Sequence, residues 1–152
     1  MDGQPQVSGF TLITRRLCLT KDTGHAGVLW GGNMMAWVDE AGAIYVGQLA
    51  KNPFMVTKAF TEIDFKRQVR PGDFVEFWGK VVKWGTTSLS VELKVIRWRP
   101  EEPKQREEVL DVTGVFVAID GKGRKTKVAP AIPGKTWGAS PRKRSSGATS
   151  YS

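Results

Sequence analysis

The fold is decided by one stretch of the chain, which reads Trp30-Gly31-Gly32-Asn33-Met34-Met35-Ala36-Trp37-Val38-Asp39-Glu40-Ala41-Gly42-Ala43-Ile44-Tyr45-Val46-Gly47-Gln48-Leu49-Ala50. Within it, apolar and small residues recur at intervals of three and four positions, as Met35, Val38, Gly42, Tyr45, Val46 and Leu49. This spacing predicts an α-helix over residues 32–50 with one apolar face, and Asn52-Pro53 supplies the stop signal.

Segments typical of β-strands lie on both sides of this helix. Residues 9–19 precede it, and residues 55–65, 74–84, 87–98 and 109–120 follow it, each rich in β-branched or aromatic side chains. Because no second helix separates the last four segments, we expect their neighbours to be mostly antiparallel. The predicted fold class is therefore α+β, with one curved antiparallel sheet wrapped around one long central helix.

Two connections can also be predicted. The sequence Trp84-Gly85-Thr86-Thr87 joins two alternating segments and indicates a hairpin. Residues 100–108 are polar, charged and rich in proline, which predicts an exposed loop between the last two strands.

The start of the helix is the first candidate site. Gly31-Gly32 allows a ligand to approach the main chain closely, and the N–H groups of a first helical turn stabilise negative charge. Asp39 follows Gly32 by about two turns and shares a stripe with apolar residues, which directs its carboxylate into the protein. Since burial of a charged carboxylate is costly, Asp39 is a candidate for chemistry. The alternative is a structural Asp39, bonded to a main-chain group or to a partner chain.

The charge of the chain is unevenly distributed. The net charge is +8, yet residues 1–120 contain 15 Lys and Arg and 15 Asp and Glu. The excess lies beyond Asp120, where there are eight basic residues and no acid. We therefore predict one domain over residues 1–129, neutral as far as Asp120, and a basic, disordered tail over residues 130–152, which is rich in Pro, Gly and Ser.

Several classes of protein are excluded by composition. One Cys and one His cannot build a structural zinc site, and a single Cys cannot form an internal disulfide. No apolar run approaches the roughly 20 residues needed to cross a bilayer. The N-terminus has neither a basic start nor an apolar signal core, so a cytoplasmic location is expected.

At this point the chain resembles a known family. Residues 10–128 are similar to the YciA-type acyl-CoA thioesterases, hotdog-fold proteins with a pattern of Thr-Asn, Gly, aromatic-Gly-Gly, Met, Asp and Ala-Gly. The matching residues are Thr23, Gly27, Trp30-Gly31-Gly32, Met35, Asp39 and Ala41-Gly42, followed downstream by Val69-Arg70-Pro71-Gly72-Asp73 and Gly85-Thr86-Thr87-Ser88. One departure stands out, because Gly24 and then His25 follow Thr23 where the family commonly has Asn.

The resemblance implies an enzyme that hydrolyses acyl-CoA to a carboxylic acid and CoA, without a metal or a cofactor. It implies a homodimer with the site between subunits, extended to a tetramer or to a hexamer of dimers. Asp39 would be general base or nucleophile, and the Gly32 N–H would polarise the thioester carbonyl. The implied residues are, for catalysis, Asp39, Gly32, His25 and Gly31, and, for CoA binding, Asn33, Thr87, Ser88, Arg124 and Lys125.

Two alternatives remain open. Gly24 would suit a hotdog protein that binds acyl-CoA with little hydrolysis. A basic nucleic-acid-binding β module is suggested by a pI near 9.8, six Trp and five predicted strands. The neutral charge of the folded part argues against the second alternative.

Overall fold

A computed structural model describes residue 5 and residues 7–130 of the chain. Its elements in order are β1 (Thr11–Leu17), a short 3-10 turn (Thr20–Asp22), α1 (Gly31–Ala50), β2 (Met55–Phe65), β3 (Phe74–Trp84), β4 (Ser88–Arg99) and β5 (Glu102–Ala118). The predicted helix is thus confirmed to within one residue, and β2 and β3 have the predicted bounds. The predicted tail lies outside the described residues from position 131 onward.

The strands form one sheet in the order β1-β3-β4-β5-β2, and every neighbouring pair is antiparallel. The α1 helix contacts all five strands. These two observations confirm the α+β prediction of an antiparallel sheet around one central helix. They also confirm the predicted hairpin, since β3 pairs directly with β4. Because of this order, β1 and β2 are the two edges of the sheet.

The helix packs on the sheet through part of the predicted face: Val38, Gly42, Tyr45 and Val46 are buried, whereas Met35 and Leu49 are only partly buried. Its buried residues are Met34, Trp37, Val38, Ala41, Gly42, Tyr45, Val46 and Ala50. They meet alternate residues of β4 and β5, among which Leu93 and Phe116 are almost fully buried. At Gly42 a Cβ atom would lie 3.1 Å from Phe116 Cε2 and 3.2 Å from Leu93 Cδ1. Glycine at this position therefore lets the helix lie close against the centre of the sheet.

The prediction of a loop over residues 100–108 is wrong, because β5 takes up all but the first two of these residues. Cross-strand ion pairs stabilise this charged part of the strand. Arg106 of β5 pairs with Glu76 of β3, which is buried, and Arg97 of β4 donates to Glu107 of β5 at 2.7 Å. The local composition indicated a loop because the residues that pair with these charges are distant in the sequence, so the segment read by itself shows only unpaired charges.

None of the helices in the described residues has the length and the apolar character needed to span a membrane. Within the same residues, no group of three His, Cys, Asp or Glu is placed to hold a metal ion.

Candidate active site

The segment before α1 is a tight loop that fixes the start of the helix. Thr23 and Leu29 form an isolated β-bridge, and the Gly24 N–H donates to the Val28 carbonyl at 3.1 Å. The Leu29 N–H donates to the Val69 carbonyl at 2.8 Å, which ties the loop to the segment before β3. The chain therefore enters α1 from a fixed position.

The first turn of α1 leaves main-chain donors open. Trp30 is the N-cap residue and makes no side-chain cap hydrogen bond, and the first helical bond runs from the Met34 N–H to the Trp30 carbonyl at 2.9 Å. Within the described residues, the N–H groups of Gly31, Gly32 and Asn33 have no main-chain acceptor. No acidic side chain lies in this turn to compensate its positive dipole end. An anion or a polarised carbonyl is therefore the expected ligand.

The two glycines make these donors accessible. A Cβ atom built on Gly32 would meet no described heavy atom within 4 Å, and one built on Gly31 would meet only the Phe65 ring at 3.8 Å. Asn33 is also exposed, but its side-chain Nδ2 donates to the Asp22 carbonyl at 2.8 Å. The Asn33 side chain thus anchors the helix start to the 3-10 turn, and only its main-chain N–H faces a ligand.

Asp39 lies two turns further along α1 and is half-buried. The Thr57 hydroxyl of β2 donates a hydrogen bond to its carboxylate. The side chain therefore lies at the margin of the apolar face, beside the edge strand β2, and not in the core. Thr57 was missed in the sequence, because only the packing of β2 against α1 brings it to Asp39.

The carboxylate and the open donors are far apart within one chain. Gly32 and Asp39 are seven residues apart on one helix, which at the α-helical rise is about 10 Å. A donor and a general base acting on one carbonyl and its attacking water each need contacts of about 3 Å. Within one protomer, a thioester carbonyl and its attacking water would therefore have to span this whole separation.

His25 lies in the loop before α1 and is exposed. Its ring packs edge to face on Trp30, with 6.5 Å between ring centroids and an interplanar angle of 78°. The structure thus brings His25 to the same end of the molecule as Gly31 and Gly32.

Two clefts flank the helix start. One of about 230 Å³ is lined by Gly31, Met34 and Phe65, together with the segment after β2. The other, of about 220 Å³, is lined by the loop residues 24–26 and 28–29 with Trp30 and Gly31. Gly31 belongs to both clefts, so the open donors lie where the two meet. Space for a ligand of moderate size surrounds them.

A larger, polar cleft of about 440 Å³ adjoins the first of these and shares residues 66–68 with it. Its cations are Lys66, Arg67, Arg70, Arg97 and Arg99. In the part of the chain that the structure describes, all of them but Arg70 form ion pairs, with Asp73, Glu107 or Glu108 as partners. The sequence did not reveal this charged cleft, since strand register alone collects residues that lie some 30 positions apart.

The remaining predicted residues lie at the opposite end of the sheet. The Thr87 carbonyl accepts from the Ala118 N–H at 2.9 Å, and Ser88 begins β4 directly after it. Lys125 bridges to Ile119, and Arg124 pairs with Asp120 at 3.1 Å in the turn after β5.

The length of β2 separates the two groups of predicted residues. Met55, the first residue of β2, pairs with Ala118, whereas Phe65, its last, lies beside Gly31. Eleven residues of strand span about 30 Å. One protomer therefore does not bring Thr87, Ser88, Arg124 or Lys125 to the helix start.

The chain is similar to known proteins over most of its length. A family model described as the thioesterase superfamily matches residues 26–103, from the loop before α1 to the start of β5. The acyl-CoA thioester hydrolase YciA of Salmonella typhimurium is 33% identical over 126 residues, which cover 82% of this chain and 92% of that protein.

Solved structures are similar over the same range. A hexameric hotdog fold thioesterase of Campylobacter jejuni has a TM-score of 0.71 and 29% identity, covering 78% of this chain and 90% of that one. A hexameric thioesterase from Yersinia pestis has a TM-score of 0.74 and 26% identity, covering 80% of this chain and 97% of that one. The chain belongs to the thioesterase superfamily, as a hotdog-fold member of its YciA-type acyl-CoA thioester hydrolases.

Proposed function

We propose that this enzyme hydrolyses acyl-CoA thioesters, with the Gly32 N–H as donor to the thioester carbonyl and Asp39 as the group that delivers the nucleophile. The observation that carries this proposal is the open first turn of α1, where exposed glycines present N–H groups beside two clefts. Water adds to the carbonyl carbon, the C–S bond breaks, and the CoA sulfur leaves as a thiolate that takes up a proton.

The donors act on the charge that develops during this reaction. The carbonyl oxygen becomes negative when the tetrahedral intermediate forms, and the Gly32 N–H with the helix dipole behind it stabilises that charge. Removal of one such donor costs about a hundred- to thousandfold in kcat in enzymes of this kind. The glycines at positions 31 and 32 keep side chains out of the space that the thioester needs.

Asp39 supplies the second half of the reaction. Its carboxylate takes a proton from the attacking water, or attacks the carbonyl itself to form an anhydride that water then hydrolyses. The Thr57 hydroxyl bonds to one carboxylate oxygen and so fixes the orientation of the group. The other oxygen stays available to the water or the carbonyl carbon.

We propose that the Gly32 N–H and the Asp39 carboxylate of one site come from two different subunits. The strand β2 is an unpaired edge in the protomer and carries exposed Val56, Ile63 and Phe65. Such an edge is a liability unless it is covered. We propose that β2 pairs antiparallel with β2 of a second copy, which would place the Met55 end of one subunit beside the Phe65 end of the other.

This pairing gives a role to the predicted residues at the far end of the sheet. The hairpin with Thr87 and Ser88, and the turn with Arg124 and Lys125, would approach the helix start of the partner and hold the CoA part of the substrate. Relatives from Campylobacter jejuni and Yersinia pestis are hexameric. We accordingly propose a hexamer assembled from three such dimers.

The test compares the wild type with Asp39→Asn on a panel of acyl-CoAs of different chain length, with detection of the released thiol. We expect the mutant to lose at least about a hundredfold in kcat, because the amide can neither accept the proton nor attack. Glu40→Gln is the matched control, since Glu40 is the neighbouring carboxylate and pairs with Arg16 on the exposed side of α1. It should leave turnover unchanged.

Two outcomes would contradict the proposal. Wild-type turnover by Asp39→Asn would remove Asp39 from the mechanism. If the wild type binds CoA but cleaves acyl-CoA of no chain length, the result supports the second candidate function. This candidate is a hotdog protein that binds acyl-CoA with little hydrolysis. Gly24 is the feature that favours this candidate, because it cannot supply a side chain to water or thioester.

A further inference from the structure

The indole of Trp30 occupies the place where a side chain at position 24 would stand. A Cβ atom built on Gly24 would lie 2.6 Å from Trp30 Cε2 and 2.8 Å from Trp30 Cδ1, and closer still to Trp30 Nε1. Those three atoms form the edge of the indole that carries its N–H group. Only glycine at position 24 leaves room for the ring in this position.

The surroundings hold the ring there. The Gly24 N–H donates to the Val28 carbonyl, and the Gly27 N–H donates to the Gly24 carbonyl at 3.0 Å, so the loop beneath the indole is closed by main-chain bonds. His25 packs edge to face against the ring. The loop and the ring thus form one packed unit.

Trp30 is also placed at the reacting end of the helix. It is the N-cap residue of α1, directly before Gly31 and Gly32, and it lines the cleft of about 220 Å³ that reaches Gly31. Its side chain is 55% exposed. Among the described residues, no hydrogen-bond partner is present for Nε1. A large ring with an unused donor therefore borders the same cleft as the main-chain donors.

We propose that the indole N–H of Trp30 is a second donor to the thioester carbonyl and acts beside the Gly32 N–H. An indole nitrogen donates but cannot accept, so it cannot orient a water for attack in the way an amide side chain can. An oxygen that gains negative charge and carries no proton is the partner that fits it. This inference rests on the proposed function. It also explains the departure from the family pattern at position 24, because glycine there makes room for the donor of Trp30.

The test is Trp30→Phe, which keeps an aromatic ring in the loop and removes the N–H. We expect kcat to fall roughly ten- to hundredfold, as for the loss of a hydrogen bond to a charged oxygen, with KM changed less than about threefold. Trp78→Phe is the matched control. Trp78 lies in the middle of β3, and it lines none of the clefts described above. It should keep the kcat of the wild type.

A second variant moves the indole N–H of Trp30 without changing the residue that carries it. Gly24→Ala adds one methyl group, which displaces the indole, and we expect it to lower kcat in the same way as Trp30→Phe. Wild-type kcat in either variant, with the protein folded by circular dichroism, would overturn the inference. Asp39→Asn is assayed in parallel. If this variant keeps wild-type turnover while Trp30→Phe and Gly24→Ala lose it, the role proposed for Asp39 fails and the role proposed for Trp30 is retained.

Discussion

Cys18 combines full burial with two neighbouring carboxylates. Its side chain is 0% exposed, its N–H donates to the Asp73 carbonyl at 2.9 Å, and its own carbonyl accepts from the Gly72 N–H. Burial first, and then the charges of Asp22 and Asp73, raise the pKa of the Cys18 thiol from 9.0 to about 11. Only a thiolate reacts readily with disulfide reagents. The folded protein therefore holds this thiol in its unreactive form at neutral and mildly alkaline pH.

The raised pKa predicts how Cys18 behaves toward DTNB. At pH 8 a pKa of about 11 leaves about one thiol in a thousand ionised in the folded protein, against about one in ten after unfolding, when the pKa returns to 9.0. We expect no colour from the native enzyme at pH 8 and one equivalent per chain in concentrated urea, read from the absorbance. Prompt labelling of native protein would contradict the burial of Cys18. The result also decides whether released CoA can be followed with this reagent without background.

Other single residues show why part of the site could not be predicted. Gly31, Gly32 and Asp39 could be identified because the spacing of one helix places them. Thr57 and the contact between Trp30 and Gly24 depend on how separate segments pack, and no local pattern reports that.

At the scale of elements, hydrophobic periodicity predicted the helix and the strands in which the burial of each residue follows the apolar pattern of the local sequence. The helix and the strand β3 repeat or alternate largely in step with their buried faces, and their bounds agree with the structure. The first part of β5 is stabilised by charges on other strands, such as Glu76, and its own composition favours a loop. Long-range ion pairs, and not propensity, form that segment.

The contact between α1 and the sheet can be tested at Gly42. A methyl group there would press on Phe116 and Leu93, both almost fully buried. We expect Gly42→Ala to lower the free energy of unfolding by about 1 to 3 kcal/mol, as overpacking does, despite the better helix propensity of alanine. Urea denaturation measures the change.

Gly47 offers the matched control on the same helix. A Cβ there would meet only the Asn52 carbonyl oxygen, at 3.5 Å, so the space is open. Gly47→Ala should keep or raise stability, by up to about 1 kcal/mol, because alanine favours the helix. Equal effects at positions 42 and 47 would show that helix propensity dominates and that the contact with the sheet is loose.

At the scale of the whole molecule, charge is the property that pointed away from the family. The net charge of +8 suggested nucleic acid as a partner, but it arises beyond Asp120, and the part of the chain that forms the sheet and helix is balanced. The unpaired edge β2 is the more informative global feature. Sequence could predict the strand, but not its place at the edge of the sheet, because strand order depends on pairings between distant segments.

The assembly is tested most directly by dividing one site between two subunits. Asp39→Asn removes the carboxylate but keeps the donor, whereas Gly32→Pro removes the donor N–H but keeps the carboxylate. Proline is tolerated in the first turn of a helix, because that N–H has no helical acceptor. Each variant alone should be nearly inactive. The two chains are co-expressed with different tags and purified through both.

A site shared across the β2 edge gives the mixed dimer one intact site. The Gly32 N–H of the Asp39→Asn chain then faces Asp39 of the Gly32→Pro chain, while the second site loses both groups. Each mixed dimer should have about half of the wild-type turnover, since one of two independent sites works, and a hexamer in which about half of the dimers are mixed should have about a quarter. A mixed dimer as inactive as its parents would place donor and carboxylate in the same subunit. A dimer of two differently tagged Asp39→Asn chains, purified in the same way, gives the baseline for this measurement.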